Sequence, residues 1–307
     1  MKISGLIEKH FWLILLAGIL LGLWSPVPFN APQVLPKILL GMMLFLAFLK
    51  IDALEVLENM KNFRLMIYIA FIYMLVIPLV FYFSTRVFNA DLAVGILLLT
   101  AMPAGVSTPV LTDIAKGNIS LSMSLVIVSQ FVAPFTVPLL FWLVDINSLT
   151  INKILILKDI AILVFLPLII SQIVKKYLPL TIEKTQHLFT SANVFLLFSF
   201  VYIAISSQRN VILENPTGLI WKVTVLYIVF ILLHIIGYLI SYKETRENRI
   251  AVAIGAAYMN NGMAIVLAAS YFKPEVLVLM VLSELPWNTL LAPFKKVLFW
   301  SVGENTH

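Results

Sequence analysis

The chain has 307 residues, 61% of them hydrophobic and 12% charged, with a mean hydropathy of +1.02; a soluble domain carries roughly 25% charged residues, so a fold with a water-facing surface is excluded. The net charge of +6 does not mark a nucleic-acid binder, because the 21 Lys and Arg sit in short loops between apolar segments, the distribution that membrane orientation produces. With no Cys, disulfides, thiol catalysis and Cys-ligated metal are excluded as well.

In chain order, Lys2, Glu8 and Lys9 precede a first apolar run that ends in WSPVPFNAP. That run has no small-residue cleavage pattern and is read as a retained first span. Apolar stretches bounded by charge, Pro or Asn then give ten candidate spans, centred near Leu16, Met43, Tyr73, Thr100, Phe131, Phe165, Phe198, Phe230, Asn260 and Leu285. Their runs approach the roughly 20 residues that cross about 30 Å of hydrocarbon as a helix. A continuous run such as ILLLTAM at 96–102 lacks the alternation of a transmembrane barrel strand. With the N-terminus in the cytoplasm, 14 of the 21 Lys and Arg fall on that side, a positive-inside bias that fits ten spans and two cytoplasmic termini. The paired Lys295 and Lys296 end the last span at the headgroups.

Ten spans divide into five plus five, and an odd-numbered half sets its copy upside down in the membrane. The expected organisation is therefore a first repeat over 1–148 and an inverted second repeat over 149–307. Matching features support it: Pro103, Gly105 and Pro109 interrupt the fourth span, and Asn260, Asn261 and Gly262 interrupt the ninth. Likewise Ser129 and Gln130 in the fifth span match Ser283 and Glu284 in the tenth. A helix-interior proline costs about 3 kcal/mol, and an unsatisfied backbone group in lipid costs several more. Such breaks persist where they line a cavity or are buried in protein, and paired half-helices then aim dipole ends at a solute.

Two adjacent amides, Asn260 and Asn261, in otherwise apolar sequence are more than helix glue requires, since interhelical amide bonds average under about 1 kcal/mol. Glu284, followed by Pro286, Trp287 and Asn288, lies mid-span, where a charged carboxylate costs at least about 2.5 kcal/mol; it must be protonated, paired or hydrated. Lys222 and His234 read as structural, since Lys snorkels and a lone His is usually a satisfied one. No HExxH, no GxSxG with suitable partners, no P-loop and no paired acidic prenyltransferase motif is present. The reading is a transporter and not an enzyme, with no cofactor and no nucleic-acid partner.

The stretch PAGVSTPVLTDIAKGNISLS at 103–122, followed by SQFVAPFTVPLLFWL at 129–143, resembles the fourth and fifth spans of the bile acid:sodium symporter (BASS) family. AIGAAYMNNGMAIVLAASYF at 253–272 resembles that family's ninth span at its crossover. The resemblance implies an all-α fold of ten transmembrane helices as two inverted repeats. A panel of spans one, two, six and seven would face a core of spans three to five and eight to ten, with spans four and nine crossing at unwound centres. It further implies secondary transport of a small organic anion by alternating access. Asn260, Trp287, Asn288 and, with them, Asn261 and Thr108 are the expected solute contacts. Thr108 and Ser122 are implied sodium residues, and Ser129 and Gln130 join them as candidates beside the coupling ion.

Three positions depart from the family pattern. The ninth-span Glu is Gly255, the Asn after the span-four hydroxyl residue is Pro109, and the span-three Gln is Tyr73. These departures leave Glu284 as the midplane carboxylate near the crossover, suited to H+ coupling or to Na+ at a displaced site. Alternatives are a proton-linked or uncoupled carrier of the auxin-efflux-carrier type and a membrane-embedded sensor or channel. The related arsenite-efflux family relies on a membrane Cys, which this chain lacks. A bacterial inner membrane is the expected location.

Overall fold

In the computed structural model of the chain, the described residues are 11–25, 34–51, 63–144, 153–214 and 216–300. Lys2, Glu8, Lys9 and most of WSPVPFNAP lie outside them.

Helix α1 (Phe11–Trp24) is followed by α2 (Leu35–Phe48), with Pro36 in its first turn, where a missing N–H costs nothing. Helix α3 (Phe63–Phe71) runs through a π-helical turn at Ile72–Val76 into α4 (Ile77–Arg86), and together they form one apolar rod over Arg64–Arg86. Pro78 stands two residues after this turn. A proline has no N–H and crowds the carbonyl four residues back, and the widened turn at Ile72–Val76 accommodates it. Helix α5 (Ala90–Thr100) is capped by Asn89, whose side chain accepts from Leu92 N at 2.8 Å. After a non-helical break come α6 (Thr108–Ile114) and α7 (Ile119–Leu143). Helix α7 carries Pro134 and Pro138 and still stays continuous.

The second half opens with α8 (Lys153–Tyr177) and α9 (Pro179–Ser207), then the short α10 (Arg209–Glu214) and α11 (Pro216–Ile240). Helix α12 (Arg246–Ala257) stops at a second break before α13 (Asn261–Tyr271). The last apolar rod is segmented into α14 (Pro274–Leu282), α15 (Glu284–Thr289) and α16 (Leu291–Trp300).

The chain is helical and, among the described residues, contains no strand. Among the described residues, six rods are long and apolar enough to cross a membrane, over 64–86, 119–143, 154–177, 179–207, 218–240 and 274–298. The shorter apolar helices α2, α5 and α13 lie among them. Outward faces are apolar as well as inward ones: Phe135 is 64% exposed, Phe195 67% and Ile162 57%. Patches of that extent do not face water in a soluble monomer; they are the lipid face of an integral membrane protein.

Helices α1, α2, α8 and α9 pack on one another, and α4 to α7 pack with α11 to α14 in a second group. Helix α13 meets α2, α14 meets α9 and α7 meets α8 where the groups adjoin. At one end of the second group the caps of α7 and α12 are clasped. Asn118 caps α7 by accepting from Leu121 N, its own N–H donates to the Glu247 carbonyl at 3.0 Å, and its amide donates to Asn248 Oδ1 at 2.8 Å. The preceding turn places Lys116 at φ 59°, the left-handed conformation common at helix ends. Glu247, in the first turn of α12, has its carboxyl held below the usual carboxylate range, first by its own backbone N–H and then by Thr245.

Candidate functional site

The two breaks meet. Residues 104 and 259 pair as an isolated antiparallel bridge, in which Gly105 N donates to the Tyr258 carbonyl and Asn260 N to the Pro103 carbonyl, each at 2.8 Å. Backbone groups freed by the loss of helix are thereby satisfied by the other break, as hydrocarbon surroundings require. Gly105 has to be glycine here, because a Cβ would lie 2.9 Å from the Tyr258 carbonyl oxygen. Pro103 lies in the break itself, whereas Pro109 and Gly262 lie in the first turns of α6 and α13. There Pro109 needs no N–H partner.

Neighbouring helices hold this crossing by its peptide groups. The Ser129 hydroxyl accepts from Ala104 N at 3.0 Å and donates to the Val126 carbonyl, and Gln130 Nε2 donates to the Ala104 carbonyl at 3.3 Å. On the other strand of the bridge, Trp287 Nε1 donates to the Met259 carbonyl at 3.2 Å. Tyr73, on the π turn, donates its hydroxyl to the Met102 carbonyl at 2.8 Å while 3% exposed. Single π turns inside helices often mark functional sites, and this one brings a phenol to the edge of the break.

Asn260 caps α13 through its side-chain oxygen, which accepts from Met263 N at 3.0 Å. Asn261 follows at the first position of that helix, 5% exposed, and its amide faces the carboxyl of Glu284. Glu284 begins α15 and is 6% exposed. Asn288, one turn on, donates to the Glu284 carbonyl at 2.7 Å and to Glu284 Oε2 at 3.1 Å. Pro286 has no N–H to offer the Leu282 carbonyl, which is why the rod is interrupted at Ser283, just before Glu284. The structure therefore brings Asn260, Asn261, Glu284, Trp287 and Asn288 together around the bridge.

Thr108 and Ser122 are otherwise engaged. Thr108 donates to the Gly105 carbonyl at 2.8 Å, and Thr112 donates to the Ser122 hydroxyl at 3.1 Å. Around Gly255 the surroundings are apolar: Ile69, Tyr73, Ala104, Leu125 and Val252 line a void of about 10 Å³ there. That is the room of roughly one water, and a water needs polar partners.

Among the described residues, several buried polar atoms close no hydrogen bond, and most of them surround the crossing: Asn260 Nδ2, both ends of the Asn261 amide, Asn288 Oδ1, Gln130 Oε1 and the Tyr258 hydroxyl. Buried polar groups are nearly always paired, so such a group of open donors and acceptors on one crossing reads as a recognition surface. The sequence pointed to the Asn and Gln residues, gave Tyr73 only as a departure from the family pattern, and gave no sign of Tyr258. It also set His234 aside, yet the His234 ring packs edge-on against Tyr258 at 5.2 Å and against Phe294 at 4.5 Å. Nδ1 of His234 donates to the Phe230 carbonyl at 2.7 Å, and Nε2 closes no hydrogen bond. Tyr258 in turn meets Trp287 edge-on at 5.4 Å, so an aromatic wall borders the amides. Lys222 makes no contact with this wall among the interactions described.

The profile of the SBF-like CPA transporter family matches residues 9–291. The "Uncharacterized sodium-dependent transporter YocS" of Bacillus subtilis is 29% identical to this chain over 191 residues, 60% of this chain and 57% of the relative. The "Probable sodium/metabolite cotransporter BASS1, chloroplastic" of Arabidopsis thaliana is 24% identical over 205 residues, 64% of this chain and 49% of the relative. The alignments thus span about half the length of these curated relatives.

Proposed function

The chain belongs to the SBF-like CPA transporter family, a membrane transporter family and not an enzyme family, and from that premise we propose that it carries a small organic anion by alternating access with its coupling centred on Glu284. The observation that carries the reading is the buried Glu284 carboxyl beside the open amides of Asn261 and Asn288 at the crossing of two broken helices. Discontinuous helices form midplane solute and ion sites because their ends present unpaired backbone dipoles. Asn260, Asn261, Trp287 and Asn288 are the solute-facing residues in this reading, and Thr108 borders them from the other half-helix.

Matched positions support an inverted repeat. Asn89 and Thr245 cap α5 and α12 through their side chains, Ala104 and Met259 form the bridge, and Asn118 and Lys273 occupy the N-cap positions of α7 and α14, the first with a side-chain bond and the second without. The members of each pair lie about 155 residues apart, the spacing that a first repeat over 1–148 and an inverted copy over 149–307 would give. The grouping of α1, α2, α8 and α9 against the remaining helices supports a panel facing a core. A bacterial inner membrane with both termini in the cytoplasm completes the proposal, on the positive-inside bias.

The usual sodium residues do not fit a cation in this chain. Gly255 offers no carboxylate and is walled by Leu125 and Tyr73, Pro109 has no polar side chain, and the hydroxyls of Thr108, Thr112 and Ser122 are committed to one another or to backbone. A cation held among these oxygens would have no fixed counter-charge, since neither Ser129 nor Gln130 supplies one. Glu284 serves the coupling step instead by taking up and releasing a proton. The names of the two relatives favour a second reading, in which a sodium ion rests on Glu284 with the side-chain oxygens of Asn261 and Asn288. Uptake in proteoliposomes under separate proton and sodium gradients distinguishes the two. Unchanged accumulation by Glu284→Gln under both gradients removes Glu284 from either.

A further inference from the structure

Three helices meet at one corner of the second group, away from the crossing. The rings of His234 on α11 and Phe294 on α16 lie 4.5 Å apart, and one turn further along their helices stand Tyr238 and Leu298. Helix α12 begins against both: Arg246 Nη2 donates to the Leu298 carbonyl, and Arg249 Nε to the Tyr238 carbonyl, each at 3.1 Å. The segments joined here, residues 238–249 and 291–298, carry Lys243, Arg246, Arg249, Lys295 and Lys296 against the carboxylates of Glu244 and Glu247. Glu244 Oε2 is already engaged, accepting from Asn248 Nδ2 at 2.9 Å. The corner is therefore strongly basic.

Arg249 is held in one orientation. Its guanidinium lies flat on the Tyr238 ring, Cζ 3.8 Å from the centroid, while Nε is taken by the carbonyl of the same residue. A stacked and anchored side chain has lost its rotamer freedom before any ligand arrives. Its edge still presents Nη1 and Nη2, for which the described residues supply no acceptor. That planar fork matches two oxygens of one phosphate, which an ammonium cannot do. From this corner an exposed apolar stripe runs back along α11 through Leu239, Ile235, Ile231 and Ile228. It starts at Tyr242, a residue type that favours the boundary between hydrocarbon and water, with the Lys243 ammonium 5.6 Å from its ring centre.

We infer that this corner binds an anionic phospholipid, its phosphodiester on the Arg249 fork and an acyl chain along the α11 stripe. Basic clusters at the ends of membrane helices attract such lipids. Here the stacked arginine adds a defined seat to the general attraction, and the stripe favours a lipid over free phosphate. The inference goes beyond the transport reading and does not depend on which solute or coupling ion is used.

The test is native mass spectrometry of the purified, delipidated full chain titrated with phosphatidylglycerol or with phosphatidylcholine of the same acyl chains. Phosphatidylglycerol is expected to bind at least about fivefold more tightly. Arg249→Lys keeps the charge and loses the fork, and it is expected to lower that binding several-fold, as Arg249→Gln does. The exposed pair Lys243→Gln with Lys296→Gln disturbs no packing and is expected to weaken it as well. Lys176→Gln, in the last turn of α8, is expected to leave it unchanged. Equal binding of the two lipids, full phosphatidylglycerol binding by Arg249→Lys or by the Lys243 and Lys296 pair, or an equal loss in Lys176→Gln overturns the inference. Displacement of the lipid by millimolar inorganic phosphate overturns it too, since the fork would then serve a free anion. None of these results bears on uptake through Glu284.

Discussion

Tyr73, on a helix that otherwise shows only apolar side chains at this depth, spends its hydroxyl on the Met102 carbonyl inside the protein. Tyr73→Phe leaves that carbonyl short of a donor, and a net loss of about 1 kcal/mol of stability is expected, read as a lowered thermal midpoint of the purified protein. An unchanged midpoint would mean that the carbonyl finds another donor. In the proposed coupling step Asn288 acts more directly, since it donates to both the backbone and the carboxyl of Glu284. Asn288→Ala is expected to lower the initial rate of uptake several-fold while the protein remains folded; full uptake would detach Asn288 from the coupling group. Asn260, Asn261, Glu284 and Asn288 were legible in the sequence because an amide or carboxyl in an apolar run carries a desolvation cost that needs a reason. Tyr258 was not, and Tyr73 stood out only as a departure from the family pattern and not for its bond, since a phenol blends into a hydrophobic span until its partner is seen. Pro78 was the available signal for Tyr73, because a proline in mid-span displaces the hydrogen-bond register of the turn before it.

The breaks are defined by contacts as close as a hydrogen bond, so at the scale of the element small changes are felt. Gly105→Ala would push a methyl group to 2.9 Å from the Tyr258 carbonyl oxygen, and the expected cost is roughly 1–3 kcal/mol together with loss of uptake, measured on the same preparation. A folded, active Gly105→Ala protein would show that the two backbones can move apart without consequence. The positions of these two interruptions were readable from Pro103, Gly105 and the Asn–Asn–Gly run, since each residue type disfavours continued helix or offers a cap. The interruption of the last rod at Ser283 was not foreseen, although Pro286 removes the N–H that the Leu282 carbonyl would use. Two other prolines, Pro134 and Pro138, sit inside α7 without stopping it. Proline alone therefore does not locate a break in a membrane helix. What distinguishes residues 103–107 is a second broken segment at Tyr258–Asn260 that takes up the freed backbone groups.

Alternating access at the scale of the molecule requires one group of helices to move against the other, and the absence of Cys makes this testable by introduced disulfides without background reaction. Leu40 of α2 lies against Gly262 of α13, its Cδ1 3.0 Å from where a Cβ at that position would stand, and these helices belong to different groups. Oxidising the pair Leu40→Cys with Gly262→Cys is expected to arrest uptake reversibly. The pair Asn118→Cys with Asn248→Cys, inside one group, is expected to leave it running. Arrest by both pairs or by neither would contradict relative motion of these groups. The membrane class followed from composition, and the family from two motif-bearing spans. In the proposed function, coupling passes through Glu284 and not through the usual sodium residues. Its most direct test is organic-anion uptake in proteoliposomes with the proton gradient and the sodium gradient imposed separately at matched membrane potential, for the unaltered protein and Glu284→Gln. Uphill uptake driven by the proton gradient and lost in Glu284→Gln is expected; sodium-driven accumulation that survives Glu284→Gln would remove Glu284 from the coupling step.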